Sequence, residues 1–147
     1  TYPAIDIWLE LGRYLIGPYG CYLVKVVDRK ISSGKTLLVL SGGINHLLRP
    51  AITQQAFPAS LLRHSSAQHE EMQLHGPLCT ALDCLGTHLL PADIEVGDWI
   101  VISQCGAYGF TESTPWFLCH NLPGEVVYRH NKTQVIRRPE QPEVWMR

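Results

Sequence analysis

The sequence predicts a mainly β domain: an antiparallel, Greek-key-like barrel with a few short helical turns. Three observations carry that expectation. Several short segments alternate apolar and polar residues, or are rich in β-branched and aromatic ones. Gly, Pro and Ser interrupt the chain between them. Helical signals are few and short. Short strands with this punctuation close into a barrel or a sandwich.

Taken in chain order, Ile5-Asp6-Ile7-Trp8-Leu9-Glu10 alternates and reads as a strand. Cys21 to Val27 is β-branched and aromatic, and Thr36 to Leu40 and Asp98 to Ser103 are short apolar runs bounded by Gly or Ser. Asn45 caps a turn through Leu48 that Pro50 limits. His64 to Gln73 is polar and reads as loop or helix. Thr80 to Leu85 reads as a helical turn ended by Gly86. Glu125 to Arg129 and Thr133 to Arg137 flank His130-Asn131-Lys132 as a hairpin. Residues 1–138 are thus expected to form one domain, and Pro139 to Arg147, with two prolines and several charges, a trailing tail.

Composition narrows the function classes. With 147 residues, 46% of them hydrophobic, the chain has material for a sizeable core. A formal net charge of -1 gives no global reason to expect nucleic acid or an anionic membrane surface as a partner, and no apolar run is long enough to span a bilayer. The five cysteines (Cys21, Cys79, Cys84, Cys105 and Cys119) are odd in number and irregularly spaced, which favours reduced thiols and a cytoplasmic home. His64, His69 and His75 ahead of Cys79, and the pair Cys119-His120, lack structural-zinc spacing, so no metal site is expected.

Four segments carry more specific information. Leu9-Glu10-Leu11-Gly12-Arg13-Tyr14 resembles the Glu-Pro-Gly-Arg motif of the ornithine/diaminopimelate/arginine decarboxylase family. Ser41-Gly42-Gly43-Ile44-Asn45-His46-Leu47-Leu48-Arg49-Pro50 resembles its Asp-Gly-Gly-Met-Asn-Asp-Leu-x-Arg-Pro. Gly76-Pro77-Leu78-Cys79-Thr80-Ala81-Leu82-Asp83 resembles its Gly-Pro-x-Cys-Glu/Asp-x-x-Asp, and Gly106-Ala107-Tyr108-Gly109-Phe110 its Gly-Ala-Tyr signature. Each motif alone is weak; all four in family order, across residues 5–128, are specific. The resemblance implies the C-terminal β-barrel of a pyridoxal 5'-phosphate (PLP) enzyme, similar to the corresponding domain of alanine racemases. It also implies an N-terminal PLP-binding α/β barrel, outside this chain, that carries the cofactor lysine. None of the four lysines here (Lys25, Lys30, Lys35, Lys132) lies in a family motif.

The resemblance assigns roles residue by residue. Glu10 takes the place of the carboxylate that keeps the cofactor ring nitrogen protonated, or else is a solvated strand-end residue. Gly12, Arg13 and Tyr108 would bind the cofactor phosphate by close backbone approach, a guanidinium fork and a hydroxyl; a core position is the other reading of Tyr108. Cys79 matches the catalytic thiol that enters the partner subunit's site in a homodimer and directs protonation of the product; its plainer reading is a small buried hydrophobe. Asp83 matches a dimer-interface aspartate paired with a barrel lysine of the other subunit, and would be unpaired in this chain alone.

Arg49 matches an arginine that holds a distal substrate carboxylate in some members, or else closes a short surface helix. Other positions depart from the pattern: Leu11 replaces a proline, Ser41 an aspartate, and Thr53 stands where diaminopimelate enzymes carry a tyrosine. Thr80 replaces the acidic residue that reads a distal ammonium group, and a neutral hydroxyl cannot neutralise a buried ammonium. The Gly-Pro-Leu-Cys-Thr-x-Leu-Asp form is similar to a branch of natural-product and exopolysaccharide gene clusters, some enzymes of which decarboxylate an aminoacyl group attached to a carrier protein. The expectation is therefore an amino-acid decarboxylase for a carrier-linked or distally modified substrate. A racemase-like PLP enzyme and a non-catalytic regulatory homologue remain the alternatives.

Overall fold

The computed structural model describes residues 5–144 and Met146. The start of the expected domain, residues 1–4, and Trp145 and Arg147 of the expected tail lie outside the described residues. Eight strands are present among them: β1 (Tyr22–Ser32), β2 (Lys35–Leu40), β3 (Ala59–Leu61), β4 (His69–His75), β5 (Cys84–Pro91), β6 (Trp99–Ile102), β7 (Glu125–Arg129) and β8 (Lys132–Arg137). Two short α-helices, α1 (Gly12–Ile16) and α2 (Arg49–Thr53), lie among them.

The six strands β1 to β6 form one sheet in the order β3-β6-β1-β2-β4-β5. It curls so that its edges, β3 and β5, approach each other, and the result is a nearly closed, barrel-like sheet. The neighbours pair antiparallel except β2 and β4, which run parallel with Leu38 opposite Leu74. A parallel pair needs a long crossover, and the segment between β2 and β4 contains the residue 41–50 motif, α2 and β3.

Alternation builds the core. Val24 and Val26, Leu38 and Leu40, Met72 and Leu74, and Ile100 and Ile102 each point inward from one strand and are essentially inaccessible. β1 serves both halves of the sheet: Tyr22 to Lys25 pair with β6, while the stretch from Val26 to Ser32 pairs with β2. The register shifts between Val26 and Asp28, where an irregularity of this kind lets a strand bend. Ser33 and Gly34, both at positive φ (51° and 74°), close the β1–β2 hairpin.

Several expectations are corrected. Ile5 to Glu10 forms no strand; it is exposed throughout and has no partner among the described residues, so alternation without a ladder leaves it irregular. Pro50 does not limit a helix but starts one, lying within the first turn of α2, where its missing N–H is harmless. Cys84 to Gly86 belongs to β5 rather than to a helical turn, with Gly86 at φ 111° beside a ladder irregularity between Leu74 and His75. The polar stretch before Gln73 is loop and then strand β4, because only Met72 and Leu74 need to face inward.

β7 and β8 form a separate hairpin closed by His130 and Asn131, both at positive φ (51° and 58°), as the turn residues require. The Arg137 guanidinium sits 3.7 Å from the centroid of Phe110 and pairs with Glu125 at 3.0 Å. Beyond residue 138, Glu140 pairs back with Leu122 and a short 3-10 turn spans Pro142–Val144.

Candidate functional site

Two carboxylates organise the motif loops. The first is Asp83. It is buried, 2% exposed, and its two oxygens accept the backbone N–H groups of Ile44 (2.8 Å) and Leu78 (2.7 Å). One side chain thus joins the loop of residues 41–48 to the loop of residues 76–83. The glycines of both motifs are explained by it: a side chain on Gly43 or Gly76 would collide with the Asp83 carboxylate. The expectation that Asp83 would be unpaired in this chain alone is corrected, because local backbone amides already satisfy it.

Within that frame, Asn45 is buried and its Oδ1 accepts the Gly43 N–H at 2.9 Å. His46 bridges Tyr22 Oη (2.8 Å) and the Asn121 carbonyl (2.9 Å). Burial holds the His46 imidazole below its ordinary value of 6.5, and burial likewise pushes the Tyr22 hydroxyl up. Cys79 is exposed on the second loop. Thr80 next to it is half-buried and shapes the turn: its Oγ1 accepts the Leu82 N–H and its carbonyl the Asp83 N–H.

The second carboxylate is Glu112. Its Oε2 pairs with Arg13 at 3.2 Å and its Oε1 with Arg49 at 2.7 Å. Arg13 also donates to the Ala107 carbonyl at 3.1 Å, and its guanidinium lies 5.3 Å from the Tyr108 ring centroid and 5.9 Å from that of Phe57. Tyr108 itself has φ 58°, an uncommon value for a large residue, and is half-exposed. Its neighbours fix it. The Cys105 and Gly106 N–H groups donate to the Gly20 and Gly17 carbonyls, and the Tyr108 carbonyl accepts the Glu112 N–H. The Tyr108 hydroxyl consequently lies over Gly12, where a Cβ would approach it to 2.8 Å.

The structure therefore brings Gly12, Arg13, Tyr108 and Arg49 into one cluster. Glu10 stands exposed two positions before Gly12. No hydrogen bond or ion pair links Cys79 or Thr80 to that cluster among the described residues; the Thr80 carbonyl instead accepts the Asp83 N–H. Sequence reasoning missed Glu112, Phe57 and the Tyr22–His46 pair. An acidic residue four positions after a motif tyrosine is the only local signal for Glu112, and its partners come from far earlier in the chain.

The half-buried Cys105 thiol is pushed up to about 12, chiefly by burial, and donates to the Ile102 carbonyl, packing against the core. All five cysteines are unpaired. Among the described residues no helix is long and apolar enough to cross a membrane.

Comparison with known proteins gives the family and the fold. Residues 14–106 match the family model described as pyridoxal-dependent decarboxylase, C-terminal sheet domain. The chain is 31% identical over 145 residues to the L-glutamyl-[BtrI acyl-carrier protein] decarboxylase of Niallia circulans, covering 93% of this chain and 34% of that protein. It is 28% identical over 141 residues to the diaminopimelate decarboxylase of Deinococcus radiodurans, covering 95% of this chain and 36% of that one. A solved diaminopimelate decarboxylase superposes with a TM-score of 0.84 at 27% identity, over 92% of this chain and 35% of that chain. The chain spans about a third of the length of the curated relatives it matches. It belongs to the pyridoxal-dependent ornithine/diaminopimelate/arginine decarboxylase family, as that family's C-terminal sheet domain.

Proposed function

We propose that the full-length protein is a PLP-dependent amino-acid decarboxylase, and that this chain supplies the wall of its site facing the cofactor phosphate and the far end of the substrate. The observation that carries the reading is the convergence of Gly12, Arg13 and Tyr108. The residues fit the cofactor: the Tyr108 hydroxyl and the Arg13 guanidinium are donors a phosphate dianion takes, and Gly12 places no side chain beneath that hydroxyl. When bound, PLP supplies the electron sink for loss of carbon dioxide. Arg13 and Tyr108 Oη would hold its phosphate, with Gly12 allowing close backbone approach. Glu10 would keep the proton on its ring nitrogen. The exposed Cys79 Sγ would deliver a proton to the product in the partner's site of a homodimer.

The reading extends to substrate. Thr80 is neutral, and its hydroxyl is occupied by the Leu82 N–H. Nothing in that side chain can neutralise a distal ammonium. The Niallia circulans relative acts on a glutamyl group attached to an acyl-carrier protein, and a relative from Staphylococcus aureus, 30% identical over 133 residues, is a 2-[(L-alanin-3-ylcarbamoyl)methyl]-2-hydroxybutanedioate decarboxylase. We infer a carrier-linked or distally modified amino acid for this protein as well. The domain is taken as residues 1–138 with 139–147 trailing, the cofactor barrel as part of the rest of the protein, and the cytoplasm as its location, in keeping with five unpaired cysteines.

Borohydride reduction of the full-length protein with PLP, followed by peptide mass analysis, tests the cofactor assignment. A reduced adduct on a lysine outside residues 1–147 is expected; a folded protein without any adduct overturns it. Steady-state kinetics tests the substrate: efficient turnover of free diaminopimelate or ornithine would remove the case for a carrier-linked one.

A further inference from the structure

We propose that Glu112 is a specificity-determining residue: a built-in carboxylate that occupies Arg49 and excludes substrates bearing a free distal carboxylate.

The geometry is that of a ligand supplied in cis. Glu112 offers one oxygen to Arg13 at 3.2 Å and the other to Arg49 at 2.7 Å, so two guanidiniums share one anion. That is how an arginine pair receives a bound dicarboxylate or amino-acid carboxylate. The side chains remain 29% exposed at Glu112, 30% at Arg13 and 37% at Arg49, so the trio borders solvent and lies within reach of a ligand. Without Glu112 the pair would be an open dicationic anion site. With it, one positive charge remains for the cofactor side, and a second carboxylate approaching Arg49 meets a fixed like charge.

The backbone that carries Glu112 is held in place from both sides. Its N–H is held by the Tyr108 carbonyl, and the next residue, Ser113, donates its hydroxyl to the Gly109 carbonyl and accepts the Leu48 N–H. The same serine thus ties the Glu112 turn to the residue preceding Arg49. Thr80 complements the filter: it offers no charge for a distal ammonium. Together Glu112 and Thr80 reject both charged groups at the distal end of a free diamino diacid. The inference rests on the decarboxylase reading and deepens it. An acyl link on a glutamyl group uses one carboxyl and decarboxylation removes the other, so such a substrate has no carboxylate left to offer Arg49.

The test uses the full-length, PLP-loaded protein and its Glu112→Ala, Glu112→Gln and Glu112→Asp variants. Glutarate binding is measured by calorimetry, and kcat/KM is measured for diaminopimelate and for a glutamyl-carrier protein. Ala and Gln are expected to bind glutarate at least about tenfold more tightly than the wild type and to gain turnover of diaminopimelate, whereas Asp keeps the exclusion. A residue with a merely structural role yields losses, not a gained ligand. Equal glutarate affinity in wild type and the Gln variant overturns the proposal, including the case in which the Ala variant fails to fold. If the wild type turns over no amino acid at all, the decarboxylase reading fails, while glutarate affinity still reports on Glu112 alone.

Discussion

Asp83 and Glu112 are both carboxylates that join distant segments, yet their surroundings differ in kind. Asp83 is buried and bound by backbone N–H groups from two loops. Glu112 is part-exposed and bound by the ends of two long side chains. A carboxylate saturated by fixed amides has no freedom to exchange partners, so it frames a site. One held by arginines at the rim can trade a partner for a ligand, so it tunes a site. The prediction follows that the first dominates stability and the second selectivity.

The largest expected effect is at Asp83. Replacing it with alanine strips two buried amides of their acceptor, at about 1–3 kcal/mol each, and urea unfolding should register a loss of about 3 kcal/mol or more. A variant as stable as the wild type would show that the two loops do not depend on it. Next is Gly76→Ala, whose methyl group would press on the same carboxylate; overpacking of this kind costs about 1–3 kcal/mol, and a thermal melt reads it directly. Glu112→Gln, by contrast, should shift unfolding by less than about 1 kcal/mol, as for other part-exposed ion pairs. A large destabilisation there would erase the distinction between the two carboxylates.

A smaller, pH-dependent effect separates the two regions further. Burial depresses the folded-state value of His46 below 6.5. On acidification the unfolded chain therefore takes up the proton first, and stability falls as pH drops from about 6.5 toward the folded value. His88 acts in the same sense, also because of burial. His46→Gln should flatten the slope of unfolding free energy against pH between about 6.5 and 5 without abolishing it. An unchanged slope would remove His46 from the linkage.

Much of the fold was legible because β1, β2 and β6 are β-branched or continuous apolar runs bounded by Gly or Ser. Which of their residues face inward, Val24 and Val26, Leu38 and Leu40, and Ile100 and Ile102, is settled by the sheet, and the His130-Asn131 turn follows from backbone preference. Strand β4 was not legible, since an edge-on view of His-Glu-Glu-Met-Gln-Leu-His gives only two apolar residues. Ile5 to Glu10 misled for the opposite reason: its pattern is right but no strand lies beside it among the described residues. For the candidate site, the motifs named Gly12, Arg13, Tyr108 and Arg49. Their clustering around Glu112, and the internal use of Asp83, depend on contacts between residues far apart in sequence, which no local pattern encodes.

The shared strand β1 bears on the order of assembly. Its ladder to β2 closes across a two-residue turn, whereas its ladder to β6 encloses most of the motif-bearing chain. The entropy lost on closing a loop rises with its length, so the hairpin is expected to form early and β6 to join β1 late. Pulse-labelled hydrogen exchange during refolding would see amides of β2 protected before those of β6; the reverse order would contradict it. The loops that carry Arg49, Asp83 and Cys79 lie between these two events. They would acquire their geometry only as β6 joins β1, so the site is among the last parts of the domain to become native.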